Sequence, residues 1–247
     1  MSSSSPTLVM AGAREAHGIV AGLLAQGDPV LTSLPEPERM FEPFQVPTHT
    51  GRFETPGAFA DWLGANRISR VVDASHAFDT GVCEMAQGVC RQLSLPYLRV
   101  LRAEWQETEA DNWLHVTSVR LAAEAAPASA RLFSNTGWPS VPEYAGFAGE
   151  RLFLRQTHPV VNDPPYGFVT LLPGTPPFSV DEEESLFKEL RITHLICRNV
   201  GGEASASKLI AARRLGLPVY MVARTPLATG VERAKTVDEA LAWCACQ

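Results

Sequence analysis

Four short segments of the sequence place glycine, histidine, arginine or hydroxyl side chains directly after an apolar run. They are Gly12-Ala-Arg-Glu15, Ser75-His-Ala-Phe-Asp79, Asn135-Thr-Gly137 and Arg198-Asn-Val-Gly-Gly202. Glycine lets a ligand approach the backbone closely, and the N–H groups at the start of a helix favour an anion. Segments of this kind are suited to binding a phosphorylated or acidic small molecule.

The Arg198–Gly202 segment is the most informative of the four, because Arg198 and Lys208 add positive charge beside two adjacent glycines. It predicts either a phosphate-binding turn or a plain tight turn, and the spacing alone leaves both readings open. The sequence contains neither the GxGxxG dinucleotide fingerprint nor the GxxxxGK[ST] motif of a P-loop.

His76 follows an apolar run and stands between Asp73 and Asp79. This position favours contact with a ligand, with structural hydrogen bonding and general acid catalysis as alternatives. Ser75 lacks the GxSxG context of an acyl-enzyme nucleophile. His158, which precedes a proline, is interpreted as a hydrogen-bonding loop residue.

Strand and helix patterns alternate along the chain, which is typical of a parallel sheet with helices on its faces. Since ligands bind beyond the carboxyl ends of parallel strands, the four segments are expected at such strand ends. Arginines near the same predicted edge would form a basic cleft in an acidic protein, and these are Arg14, Arg99, Arg102, Arg155 and Arg224.

An internal repeat links the two halves of the chain. Leu93–Arg102 resembles Leu215–Arg224, and the same spacing places Asp73–Phe78 on Leu195–Val200. The repeat predicts two similar α/β halves that face each other. We place them at residues 1–110 and 111–247, with the last helix also able to pack back on the first half.

Local patterns of apolar and polar residues predict further secondary-structure elements. A short strand is expected near Phe44–Val46, a polar linker over Gln106–Asn112, and helices over Val116–Ala126 and Val141–Ala148.

Composition narrows the function classes. The 247 residues include 45% hydrophobic residues and carry a net charge of −6, which favours a packed globular protein and argues against nucleic-acid binding. The five cysteines form no CxxC pair, so no metal site is predicted. The first residues lack a signal-peptide pattern, and no apolar run approaches the ~20 residues of a membrane span. We expect a cytoplasmic protein.

The ordered segments resemble those of a known family over almost the whole chain. They are Gly12-Ala-Arg-Glu-Ala16, Asp73-Ala-Ser-His-Ala-Phe78, Pro96-Tyr-Leu-Arg99 with Arg102 and Trp105, Asn135-Thr136-Gly137, and Arg198-Asn-Val-Gly-Gly202 with Lys208. The family is that of precorrin-6A reductase, the NADPH-dependent reductase of cobalamin biosynthesis. The chain departs from the family's pattern in having Ala77 for proline, Arg198 for lysine and Val200 for serine.

The resemblance implies two Rossmann-like or flavodoxin-like parallel-sheet domains with the ligand cleft between them. It implies hydride transfer from NADPH to the precorrin-6A macrocycle, giving dihydro-precorrin-6 (precorrin-6B), without a metal. We expect a monomer or weak oligomer. The substrate-binding residues that it implies are Arg14, Ser75, His76, Phe78, Arg99 and Arg102. The cofactor-binding residues that it implies are Asn135, Thr136, Gly137, Arg155, Arg198, Asn199, Val200, Gly201, Gly202 and Lys208. His76 and Asp79 are the candidate proton donors, with solvent as the alternative.

Two other functions are compatible with a two-lobed α/β chain. One is a small-molecule binding protein without catalysis, and the other is a transferase that uses a sugar nucleotide.

Overall fold

The computed structural model of the chain describes residues 5–36, 42–157 and 162–247, so that His158 lies outside the described residues. Within these ranges the twelve strands are β1 (Thr7–Ala11), β2 (Val30–Leu34), β3 (Thr48–Thr50), β4 (Arg70–Ala74), β5 (Tyr97–Val100), β6 (Trp113–Val116), β7 (Arg131–Ser134), β8 (Arg151–Gln156), β9 (Val169–Pro173), β10 (His194–Arg198), β11 (Val219–Val222) and β12 (Glu232–Ala234). The α-helices of the same ranges are α1 (Glu15–Ala25), α2 (Pro56–Ala65), α3 (Thr80–Leu93), α4 (Val119–Ala125), α5 (Val180–Glu189), α6 (Ser207–Arg214) and α7 (Val237–Ala245), and two 3₁₀ helices span Trp138–Tyr144 and Glu203–Ser205. None of the described helices is both long and apolar enough to cross a membrane.

The chain divides into two compact units, one of residues 1–103 and 225–247 and the other of residues 104–224. The first unit has the strand order β3-β2-β1-β4-β5-β12, and the second has β9-β8-β7-β10-β11-β6. All neighbouring strands run parallel. The predicted fold class of two parallel-sheet α/β domains is confirmed.

The first sheet has the strand order of a dinucleotide-binding fold, and the second has a variant of it. Numbered along the chain, the first unit has the order 3-2-1-4-5-6 that is typical of that fold. The second unit has the same order except that its outer strand, β6, comes first in the sequence instead of last. In each sheet the order reverses beside one central strand, β1 or β7, which creates the crevice where such folds bind ligands.

The chain returns to the first unit at its C-terminal end. β12 pairs with β5, and α7 packs on α1, so residues 225–247 lie with the first unit. The boundary drawn from the sequence grouped these residues with 111–247. The difference arises because β12 is only three residues long and carries no readable periodicity.

Some elements differ from the sequence expectations. The edge strand β3 lies at Thr48–Thr50 and not at Phe44–Val46. Helix α4 is shorter than Val116–Ala126, because the residues before it form β6. A 3₁₀ helix replaces the α-helix expected over Val141–Ala148, and Pro142 within it lacks the N–H that an α-helix needs.

The first sheet is buried on both faces. Val9 of β1 packs with residues of α1 and α7, whereas its neighbours Leu8 and Met10 pack with residues of α2 and α3. Adjacent residues of a strand point to opposite faces, so a strand covered on both sides is apolar throughout. This explains why β1 is a continuous apolar run in the sequence.

Two glycines allow α7 to approach α1 closely. A Cβ at Gly22 would lie 2.4 Å from Cδ1 of Leu241, and one at Gly18 would lie 3.1 Å from Cγ2 of Val237. The close contact of these helices holds the C-terminal segment against the first unit.

We expect Gly22→Leu to lower the free energy of unfolding by about 1–3 kcal/mol, because its side chain overpacks this helix contact. Adding Leu241→Ala restores room and should recover part of the loss. Gly88→Leu is the matched control, since a Cβ at Gly88, also within a helix, meets nothing within 4 Å. Urea unfolding followed by circular dichroism measures the effect, and equal losses for Gly22→Leu and Gly88→Leu would contradict it.

Candidate functional site

The turn after β4 is built around the buried carboxylate of Asp73. Asp73 Oδ1 accepts hydrogen bonds from Arg99 Nη1 at 2.8 Å and from the backbone N–H of Ser75 at 2.9 Å. Its Oδ2 accepts from the hydroxyl of Tyr97 at 2.6 Å. Burial, followed by the charge of Asp73, raises the pKa of Tyr97, so the phenol keeps the proton that it donates. The carboxylate is thus fully engaged in holding the turn.

Arg99 closes the same turn from β5. Its Nη1 donates to the backbone oxygens of Asp73 at 2.9 Å and Ser75 at 3.1 Å, and its Nη2 donates to the backbone oxygen of His76 at 3.1 Å. The side chain is only 2% exposed. The sequence predicted Arg99 as a substrate contact, but the structure uses its planar fork of donors to shape the protein.

Ser75 and His76 follow Asp73 and Ala74 in the turn. Ser75 is buried, its hydroxyl accepts a hydrogen bond from Arg99 Nη1 at 3.0 Å, and it also lines a cavity at this sheet edge. His76 is half-buried, and its Nδ1 accepts from the backbone N–H of Phe78 at 3.3 Å. Phe78, which is also half-buried, lines the same cavity together with Asp79.

Gly12 brings the end of β1 against this turn. A Cβ at Gly12 would lie 2.9 Å from the backbone nitrogen of His76, and the φ angle of Gly12 is +156°. The first and second strand-end segments of this unit are therefore in contact, as the adjacency of β1 and β4 requires. Any side chain at this position would force the turn to move.

Arg102 forms an ion pair with Glu15 at the start of α1. Its Nη2 donates to Glu15 Oε2 at 2.8 Å, and its Nε donates to Oε1. Burial opposes ionisation of Glu15, but hydrogen bonding by Arg102 and the charges of Arg102 and Arg14 hold the pKa of Glu15 below its ordinary range. A substrate carboxylate at Arg102 would have to share the guanidinium with Glu15. Arg14 precedes α1 as its N-terminal flanking residue.

In the second unit, the segment after β7 is held by a cluster of hydroxyl groups. Thr136 Oγ1 lies 2.6 Å from Ser140 Oγ and 2.8 Å from the hydroxyl of Tyr144, which also donates to Ser134 Oγ at 2.6 Å. Burial raises the pKa of Tyr144 to about 12. The side chain of Thr136 is therefore internal, whereas Asn135 is exposed and Gly137 is partly so.

The segment after β10 adopts a conformation that favours glycine. Gly201 and Gly202 have φ angles of 68° and 81°. The backbone N–H groups of Gly202 and Glu203 make no hydrogen bond with the residues that the structure describes. Arg198 Nη1 donates to the backbone oxygen of Thr136 at 3.2 Å, which joins this segment to the one after β7.

Trp105, at the start of the second unit, holds the glycine segment after β10 in place. Its indole Nε1 donates to the backbone oxygen of Gly202 at 2.9 Å. The side chain of Asn199 accepts from the Trp105 backbone N–H at 2.9 Å and donates to the Trp105 backbone oxygen at 3.1 Å. Asn199 is buried with both polar atoms engaged, so it positions the segment. Val200 is partly exposed within it.

Arg155 and Lys208, which were predicted to bind the cofactor, have buried side chains that contact other protein groups. Arg155 Nη1 donates to Glu183 at 2.6 Å, and its guanidinium lies 4.0 Å from the ring centroid of Phe178 and 4.8 Å from that of Phe133. Lys208 is buried, donates to the backbone oxygen of Ser205, and lies 5.3 Å from the Trp105 ring centroid. Both cations are therefore largely withdrawn from solvent and stabilise the fold around the site.

The sequence reasoning missed three residues of these sites. Tyr97 and Trp105 stand in segments that carried the family resemblance, but nothing marked their side chains as anchors. Arg52 follows β3 and lines the cavity of the first unit, and correct placement of β3 would have drawn attention to it. The described residues contain no group of three His, Cys, Asp or Glu side chains arranged to hold a metal ion.

The chain is similar to one family along nearly its whole length. Residues 7–245 match the family described as Precorrin-6x reductase CbiJ/CobK. The chain is 31% identical over 242 residues to a precorrin-6A reductase of Rhodococcus erythropolis, with 96% of each protein covered. It is 29% identical over 239 residues to one of Rhodobacter capsulatus, covering 96% of this chain and 95% of that protein. A solved structure titled CobK precorrin-6A reductase has a TM-score of 0.89 at 28% identity and covers 98% of this chain and 97% of its own.

We expect Arg99→Met to lower the free energy of unfolding by about 3–5 kcal/mol, because it leaves the carboxylate of Asp73 buried without its charge partner. Arg91→Met, an exposed position of α3, removes the same charge and should change stability by no more than about 0.5 kcal/mol. Chemical denaturation of both variants measures the difference. Similar small losses would show that the Asp73–Arg99 pair does not hold the turn.

The Glu15–Arg102 pair predicts a dependence of stability on pH. Because the folded-state pKa of Glu15 lies below the unfolded value of about 4.3, the pair stabilises the fold fully above that pH. Its contribution disappears as the pH falls through the lower folded-state pKa. The difference in free energy of unfolding between wild type and Glu15→Gln should therefore shrink in acid, as urea titrations at several pH values would show. A difference that stays constant would rule out the lowered pKa.

Proposed function

The chain belongs to the precorrin-6x reductase family and reduces precorrin-6A in cobalamin biosynthesis, and we propose that NADPH is the nicotinamide donor that it uses. The binding-protein and sugar-nucleotide alternatives have no observation in their favour. The reaction adds a hydride and a proton to one unsaturated unit of a tetrapyrrole-derived macrocycle that carries several carboxylates.

One observation carries the proposal for the cofactor. The Gly201–Gly202 segment lies at the end of β10, beside β7, where the strand order of the second sheet reverses. Its left-handed glycines and the uncommitted N–H groups of Gly202 and Glu203 suit a pyrophosphate, which accepts hydrogen bonds from backbone amides. The guanidinium of Arg198 lies at the same strand end, where it also pairs with Glu143 at 3.6 Å. These residues fit a dinucleotide.

The end of β8 supports NADPH over NADH. In folds with this strand order, an acidic residue near the second strand binds the 2′-hydroxyl of NADH and would repel a 2′-phosphate. The corresponding strand of the second unit is β8, which ends at Gln156 and is followed by Thr157. Gln156 is buried, and its Nε2 donates to no described residue. A neutral donor at this position is compatible with a phosphate.

When bound, the nicotinamide supplies the hydride, and the chain supplies binding, orientation and charge. Trp105, Asn199 and Lys208 hold the glycine segment in shape. The backbone of Asn135–Gly137 completes the cofactor side, with Arg198 connecting the two segments. Rigid positioning of this kind orients the bound nicotinamide for transfer.

The first unit is proposed to bind the macrocycle. His76, Phe78 and Arg14 present their side chains near the ends of β1 and β4, with Arg102 sharing its charge with Glu15. The buried Asp73–Arg99 pair fixes the backbone from which His76 projects. His76 or Asp79 is the proposed source of the proton, and Asp79 lines the cavity of this unit without capping α3 through its side chain.

We expect NADPH to be oxidised only when precorrin-6A is also present, with NADH reacting much more slowly. Absorbance at the nicotinamide band measures the reaction. Binding alone should be visible as thermal stabilisation, of about 2.7 kcal/mol at 100 times the dissociation constant. Equal stabilisation by NADH would contradict the choice of NADPH, and oxidation of neither nucleotide would contradict the reductase.

Gly202→Ala tests the site within the same assay. Its methyl group would obstruct the approach of a pyrophosphate, so the dissociation constant for NADPH should rise about tenfold or more. Gly230→Ala is the control, because Gly230 has a φ angle of 83°, close to the 81° of Gly202, and open space around it. Both variants place alanine at a positive φ angle, and only Gly202→Ala should weaken NADPH binding.

A further inference from the structure

The first unit contains a cavity of about 360 Å³ at the carboxyl edge of its sheet. Apolar side chains from separate elements form much of its wall, including Met10 of β1, Phe53 after β3 and Met85 of α3. Two charged residues also line it, Arg52 after β3 and Asp79 before α3. The cavity is therefore an apolar pocket with a cation and an anion contributed by different segments.

Arg52 is available for a ligand. Its side chain is exposed, and it forms no ion pair or hydrogen bond with the residues that the structure describes. By contrast, Arg99 and Arg102 of the same unit are paired with Asp73 and Glu15. An arginine at the mouth of an apolar cavity, with its guanidinium uncommitted, is suited to a carboxylate attached to a short hydrocarbon stem.

The size of the cavity limits what can enter it. At about 360 Å³ the cavity lies at the lower end of the range of about 300–1,000 Å³ that pockets for drug-sized ligands span. A tetrapyrrole-derived ring with its side arms is larger than a drug-sized ligand, so the cavity accommodates a substituent and not the whole ring. We infer that the cavity is a specificity pocket for one carboxylate-bearing side arm of the macrocycle, with Arg52 binding the carboxylate and Phe53 and Met85 packing on its methylene groups. This inference rests on the proposed function.

Asp79 sets the direction in which the arm lies. In its ionised form the Asp79 carboxylate carries the same charge as the arm, and it contributes to the cavity from the α3 side, whereas Arg52 contributes from the β3 side. Like charges repel and opposite charges attract, so the carboxylate of the arm lies against Arg52. The methylene groups then fill the apolar part of the pocket.

Arg52→Met tests whether the positive charge of Arg52 binds the carboxylate of the side arm. It should raise the KM and the directly measured dissociation constant for precorrin-6A about tenfold or more, because a charged hydrogen-bonding partner is lost. The kcat at saturating substrate and the dissociation constant for NADPH should change by less than about twofold, as expected for loss of uniform substrate binding. Arg91→Met is the control, since it removes one positive charge from the same unit outside the cavity.

Gly81→Leu tests the pocket by filling it. Gly81 lines the cavity, and a Cβ there meets nothing within 4 Å, so the larger side chain is tolerated by the fold. It should raise the KM for precorrin-6A without lowering the melting temperature. Gly88→Leu in the same helix is the control, because Gly88 is equally open but does not line the cavity.

The outcomes separate the two proposals. Unchanged KM and dissociation constant for precorrin-6A in both Arg52→Met and Gly81→Leu would overturn the pocket, even if the wild type is an active NADPH-dependent reductase. A wild type that binds precorrin-6A but does not oxidise NADPH would overturn the proposed function, and the dissociation constants would still decide the role of Arg52. Equal weakening by the controls would also overturn the pocket.

Discussion

A buried ion pair between Asp73 and Arg99 is the contact on which the first unit's ligand edge depends. All strands of a parallel sheet end at the same edge, and the backbone that leaves the sheet there needs new hydrogen-bonding partners. The pair meets this need because one guanidinium reaches the Asp73 side chain and the backbone oxygens of Asp73, Ser75 and His76. Charges with exposures of 0% and 2% are stable only when their partners are in place.

The second unit meets much of the same need with neutral side chains. Trp105 and Asn199 hold the glycine segment after β10, and hydroxyl groups around Thr136 hold the segment after β7. Because side chains do the anchoring, backbone N–H groups at Gly202 and Glu203 remain available for an anion. The contrast between the units matches their proposed roles, with a rigid side-chain platform for the macrocycle and an amide-lined turn for the dinucleotide.

Much of the fold could be predicted from the sequence, because strands buried on both faces are continuous apolar runs. The repeated Leu-Pro segment also indicated that the two halves of the chain have similar α/β folds. The short edge strands β6 and β12 could not, since three or four residues carry too little pattern. Strand-end position predicted which segments lie at the carboxyl edges of the sheets but not the direction of each side chain. Arg99 and Arg155 therefore resembled ligand contacts, although buried carboxylates elsewhere in the chain, Asp73 and Glu183, hold them inside.

The proposal that a dinucleotide binds to the second unit is tested most directly by titrating the ¹⁵N-labelled protein with NADP⁺. Amide chemical shifts are the measurement. If the dinucleotide binds to the backbone of the second unit, we expect saturable shifts that are largest at Gly137, Gly201, Gly202 and Glu203. Shifts concentrated instead around Gly12 and the turn after β4 would contradict it.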